Sequence, residues 1–170
     1  MWSHQDWLLD EHRSGGCLLD QHVHDVDIIN DLFGPPEAVS SLGRNAIPGS
    51  GFDSISTHYL YDGFTVAAQD DWCLHAPFSM EYRAHFERGS LVFRGGAVTA
   101  YPAGGEAYVA EDSAEAGYYF EIKYFVERLS AGMAVDRCLP ESTAESIRIA
   151  AAEHKSAKLR GEWVAVGRAR

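Results

Sequence analysis

Two changes of hydrophobic period divide this chain. From Ala38 to Val109 apolar side chains recur at every second position in short runs, whereas on both flanks they recur every three or four. Ile55, Thr57, Tyr59 and Tyr61 alternate with Ser54, Ser56, His58 and Leu60, and Met80, Tyr82, Ala84 and Phe86 alternate with Glu81, Arg83, His85 and Glu87. Asp62-Gly63, Arg88-Gly89 and Gly95-Gly96 are turn signals, the first joining the Ile55 strand to another running from Phe64 to Leu74. The spacing predicts an antiparallel meander.

The flanks read as helices. Cys17 to Phe33 is bracketed by Ser14, a candidate N-cap, and by Gly34-Pro35-Pro36, which cannot continue a helix. Leu18, Leu19, Val23, Val26, Ile29 and Phe33 share one arc, the expected core face. After Gly117, Tyr119, Ile122, Phe125, Val126 and Leu129 repeat the helical period, ending at Ala131-Gly132. A further helix runs from about Pro140 to Arg160 with Ile147 and Ala150-Ala151-Ala152 inward, and Trp163 to Val166 returns as a strand. At 170 residues the chain is expected to be a single domain, residues 1–170. The expected class is α+β, with an open-faced, mainly antiparallel sheet and helices on one face.

Composition narrows the function. Fourteen Lys and Arg against 25 Asp and Glu give a net charge of −11, and no basic cluster interleaves with aromatic residues. Such a field repels phosphate backbones and anionic lipid, so neither nucleic acid nor a membrane is an expected partner. No apolar run approaches the roughly 18 residues of a membrane span. Cys17, Cys73 and Cys138 form no Cys-x-x-Cys, which suits small buried thiols in a reducing compartment, and cytoplasm is the expected location.

Functional side chains are densest in Asp20-Gln21-His22-Val23-His24-Asp25-Val26-Asp27. On a helix, Asp20, His24, Asp27 and Asp31 lie within about 60° of one another, away from the core arc. A histidine four residues after an aspartate can do general acid/base work while the carboxylate orients it. A solvated acidic face is the alternative. His22 points about 160° from His24 and lands among apolar residues, where backbone groups would satisfy its ring. On a strand, His22 and His24 would instead share a face and resemble the first metal motif of amidohydrolases. The remaining histidines supply no matching ligand motif, and no metal is expected.

Trp7-Leu8-Leu9-Asp10-Glu11, then Ser14-Gly15-Gly16-Cys17-Leu18-Leu19-Asp20-Gln21-His22-Val23-His24-Asp25-Val26-Asp27 and Leu32-Phe33-Gly34-Pro35-Pro36, resemble the start of the C-terminal domain of the Gfo/Idh/MocA oxidoreductases. The tail is similar too, in Glu121-Ile122, Phe125-Val126 and the stretch from Ser142 to Val164. The resemblance implies a substrate domain for a sugar, polyol or cyclitol, with catalytic Asp20 and His24: His24 as proton donor and acceptor and Asp20 as its partner. Asp27 and His22 would support or bind substrate. It also implies a homodimer through the open sheet face and use of NAD or NADP held by a Rossmann domain.

That nucleotide domain has no counterpart in these residues. Gly49-Ser50-Gly51-Phe52-Asp53-Ser54 lacks the third glycine of a dinucleotide loop and precedes a strand instead of a helix. No cofactor is therefore expected on this chain alone, and alone it is expected to be inactive. The alternatives are a non-catalytic binding or dimerisation module and a metal-dependent hydrolase using His22 and His24.

Overall fold

The computed structural model describes residues 4–73, 75–111 and 117–167. In chain order the elements are α1 (Glu11–Ser14), α2 (Val23–Phe33), β1 (Ala38–Arg44), β2 (Ser54–Tyr61), β3 (Phe64–Asp71), β4 (Tyr82–Phe86), β5 (Gly89–Arg94), β6 (Ala97–Pro102), β7 (Tyr108–Val109), α3 (Gly117–Ser130), α4 (Pro140–Lys158) and β8 (Val164–Ala165). The class is α+β, as the periods predict. The chain divides into two compact units, Met1–Leu74 with Asp136–Arg170, and His75–Val135.

In the first unit a four-stranded antiparallel sheet has the order β3-β2-β1-β8. The alternation in β2 sends Ile55, Thr57, Tyr59 and Tyr61 to the buried face, while Ser54, Ser56, His58 and Leu60 face outward. α2 and α4 cover that buried face. Val26 and Ile29 from α2 and Ile149 and Ala152 from α4 pack with Val39, Tyr59, Tyr61 and Val166, with Val66 and Ala68 at the margin. Full burial of one such aliphatic side chain stabilises by about 1.5–3 kcal/mol. Several polar side chains inside this layer are paired with one another or with backbone. The hydroxyls of Ser41 and Thr57 lie 2.8 Å apart. Ser156 Oγ accepts from the backbone N–H of Ser41 at 2.8 Å and donates to the Glu162 carbonyl at 2.6 Å, stitching α4 to β1.

In the second unit β4, β5, β6 and β7 form a separate antiparallel sheet in that order. Tyr82 stacks on Phe93 across β4 and β5 with centroids 5.1 Å apart. α3 spans the expected residues, and its apolar stripe is open: Ile122 is 64% and Leu129 59% exposed.

Several expectations need correction. The meander is broken between β3 and β4, giving two sheets. β3 ends where Asp71 accepts the Cys73 N–H at 2.7 Å and turns the chain out of line. Pro77, which has no N–H to give a ladder, follows in the connection. Leu74, the expected end of that strand, lies outside the described residues. On α4, Ala150 and Ala152 face inward as expected, but Ile149 rather than Ile147 joins them: Ile147 is 46% exposed and Ala151 is also exposed. Cys17 is buried as expected, but Cys73 is half-buried and Cys138 exposed; all three are free thiols.

Candidate active site

Two glycines set the entry to the site. Gly15 and Gly16 both have positive φ, 79° and 69°, which non-glycine residues adopt only at a cost. A Cβ at Gly16 would come within 2.7 Å of the Ser50 carbonyl oxygen. Ser14 therefore closes α1 instead of opening the next helix. Its hydroxyl donates to the Leu8 carbonyl at 2.8 Å and accepts the Gly16 N–H at 3.0 Å. The chain then takes one π-helical turn over Leu18–His22 before α2 begins. This replaces the uniform helix expected from Cys17 to Phe33 and leaves Leu19 43% exposed. Single π-turns inside helices are uncommon and concentrate at functional positions. Here the wider turn lets two sequence neighbours reach one carboxyl group. Gln21 Nε2 donates to Asp70 Oδ1 at 2.7 Å, and His22 Nδ1 lies 2.5 Å from Asp70 Oδ2.

His22 is the centre of this site and is wholly buried. Its Nδ1 faces Asp70; its Nε2 lies 3.2 Å from the Tyr59 hydroxyl and 3.3 Å from Glu153 Oε2. Glu153 has no exposed surface, and neither of its oxygens receives a hydrogen bond. Burial alone would pull the imidazole pKa down, but the hydrogen bond with Asp70 and the attraction of Glu153 outweigh it and lift His22 to about 9. Burial, followed by the charge of Asp70, pushes Asp25 up to about 6. Burial also acts upward on Asp70, yet hydrogen bonds from His22 and Gln21 hold its carboxyl below the usual range. Tyr59 is pushed far up by burial and then by Glu153, so it stays a neutral phenol. Burial, with Asp70 nearby, raises the Cys17 thiol to about 12, which makes it a poor nucleophile.

Asp20 and His24 are exposed, Asp20 on the π-turn and His24 in the first turn of α2. Asp27 is exposed and accepts a 2.6 Å hydrogen bond from the Ser146 hydroxyl, tying α2 to α4. His22 faces the core as its helical phase requires, but side chains satisfy its ring where backbone partners were expected. With His22 enclosed and His24 exposed, the two rings do not form the paired site that a hydrolase built on both would need. Residues two apart on a helix diverge by about 160–200°, which is the reason.

Asp70, Glu153, Tyr59, Gln21 and Asp25 were not singled out from the sequence, although two of them carry a readable signal. Asp70 continues the inward parity of Val66 and Ala68 on β3, and Glu153 continues the inward spacing of Ser146, Ile149 and Ala150 on α4. A carboxyl group on a core-facing position is the sign of a buried partner.

An antiparallel sheet with two helices packed on one face is a domain fold of a known kind. The profile of the GFO/IDH/MocA C-terminal domain matches residues 1–92, over half of the 170-residue chain, and the chain belongs to that family. Levoglucosan dehydrogenase in complex with NADH and levoglucosan superposes with a TM-score of 0.83 at 18% identity, covering 97% of this chain and 54% of that one. A Thermotoga maritima protein assigned as an oxidoreductase gives 0.79 at 20% identity, covering 98% and 52%. Bacillus subtilis YvaA, similarly assigned, gives 0.72 at 18%, covering 89% and 51%. At these identities the likeness is one of fold, and the chain spans about half the length of the structures it matches. No curated protein matches the sequence.

Proposed function

We propose that this chain is the substrate-binding and acid/base domain of an NAD(P)-dependent oxidoreductase acting on a hydroxyl or carbonyl group of a sugar, polyol or cyclitol. The observation that carries the reading is that Asp20 and His24 stand exposed at the start of α2, on an element pinned from beneath by buried His22. His24 takes the proton of a substrate hydroxyl, or returns it to a carbonyl oxygen, and Asp20 orients the ring. Asp27 holds α2 against α4 through Ser146. The sugar complexes of levoglucosan dehydrogenase support the substrate class by similarity of fold.

The residues described here do not fit a dinucleotide. Both sheets are antiparallel throughout, so they contain no strand–glycine turn–helix unit on which a pyrophosphate would rest. The nicotinamide belongs to a nucleotide domain that works with this one, and redox chemistry is not assigned to these residues. Self-association through an open sheet face is part of the same proposal.

In an enzyme carrying this domain, His24→Ala lowers kcat by about 10²-fold or more, the usual scale of general acid/base catalysis, while substrate binding changes less. Steady-state kinetics on that variant and on Asp20→Asn test the reading. Turnover retained within threefold in both would overturn it.

A further inference from the structure

We propose that His22, Asp25 and Asp70 form a binding site for one first-row divalent transition-metal ion. The site is separate from the acid/base reading above, because neither Asp20 nor His24 is a ligand. One ligand atom from each of the three residues lies within 4.8 Å of the other two. Oxygen and nitrogen ligands about 2.0–2.2 Å from a metal are themselves up to about 4.4 Å apart, so small side-chain shifts complete the geometry. One imidazole nitrogen with two carboxylate oxygens is a borderline donor set that suits zinc or manganese better than magnesium or calcium. The three residues come from the π-turn, α2 and β3, and the hydrogen bond from Gln21 to Asp70 fixes the carboxylate that the strand supplies.

Glu153 is the second and independent observation. It is a fully enclosed carboxyl group whose oxygens accept no hydrogen bond of good geometry, and its Oε2 lies 3.3 Å from the far nitrogen of His22. Metal-bound histidines characteristically donate their second N–H to a carboxylate, which fixes the tautomer and the ring plane. With Nδ1 on the metal side, His22 presents Nε2–H to Glu153 and the Tyr59 hydroxyl. The burial of Glu153 then has a chemical reason. His22 and Glu153 close the inner end, while half-buried Asp25 and Asp70 leave a route from solvent. Protons can satisfy the same groups, with His22 donating from both nitrogens and Asp25 sharing a proton with Asp70. The experiment separates the two closures.

The chain is stripped with a chelator and titrated calorimetrically with Zn2+ and, separately, Mn2+, with circular dichroism recorded on each variant. The expected result is one equivalent of at least one of the two ions. Asp25→Asn and Asp70→Asn should weaken it by more than about 100-fold, Glu153→Gln by about 10–100-fold, and His58→Ala, on the outer face of β2, should leave it unchanged. Asp25 is half-exposed, so its amide keeps the test usable if the Asp70 variant fails to fold. Neither ion reaching one equivalent, or undiminished binding in folded Asp25→Asn, overturns the proposal. The second result would assign the metal to surface histidines.

Discussion

At the scale of single residues, Asp53 gathers more donors than any other carboxylate described here. It is 2% exposed and accepts from the N–H groups of Ala46 and Ile47, the Ser50 hydroxyl and Trp72 Nε1, the last at 2.9 Å. Burial works to raise its pKa, but these hydrogen bonds prevail and hold it below the ordinary 3.8. A depressed carboxyl contributes stability that is present above the unfolded value and lost as pH falls through the folded one. Asp53→Asn keeps the shape but turns an NH2 group toward donors, and is expected to cost about 2 kcal/mol at pH 7. Thermal melts of the variant and the parent should converge as pH falls from about 5 to 2. His22 and His24 give a second contrast. Removing His22 as His22→Ala leaves Asp70 and Glu153 without their shared partner, at a cost of about 3–5 kcal/mol. His24→Ala, on an exposed face, should stay within about 0.5 kcal/mol. Urea unfolding of both variants checks the pair, and equal losses would mean that the buried and exposed sides of this helix start have been confused.

At the scale of elements, α4 joins the most features. Its inner face places Ile149 and Ala152 in the apolar cluster, Glu153 against His22 and Ser156 against β1, all within eight residues. Ile149→Ala opens a cavity beside Val26, Val39 and Tyr59 and is expected to cost about 2–5 kcal/mol, the range for truncating a buried aliphatic side chain. Ile147→Ala, two positions away and 46% exposed, should cost less than about 1 kcal/mol. Denaturant midpoints of the two variants read the phase of α4 directly, and a larger loss at Ile147 would contradict it. The entry to α2 follows the same logic. Its π-turn is held by bonds to Asp70 on β3, so that turn depends on the sheet beside it more than on its own propensity.

At the scale of the molecule, the outer face of the first sheet mixes Ser56 and His58 with Leu60, 37% exposed, and Leu42, 61% exposed. In the second unit Tyr82, Phe86, Tyr101 and Tyr108 are each about half exposed. Aromatic and aliphatic surface on this scale is what homodimers cover. Light scattering at micromolar concentration should report twice the mass of one chain. A monodisperse monomer would instead leave these surfaces for a different partner, such as the nucleotide domain.

The order and kind of the elements were legible in the sequence because they rest on local rules. Period two with Asp62-Gly63 between the runs gives β2, its turn and β3, and Pro140 with Gly161 brackets α4, whatever lies nearby. The exposed Asp20 and His24 and the inward His22 followed from helical phase. Which strands shared a sheet was not local. Arg88-Gly89 joins β4 to β5, but nothing in the alternation around Met80 says that β4 lies in a different sheet from β3. The buried cluster was also beyond local rules, since Asp70 lies 48 residues from His22 and Tyr59 lies 37 residues away. The parity of β3 and the phase of α4 say that Asp70 and Glu153 point inward, but not that one imidazole lies between them. A buried charge is tolerated only where its partner arrives in space. That meeting was decided by how α2 and α4 pack on the sheet.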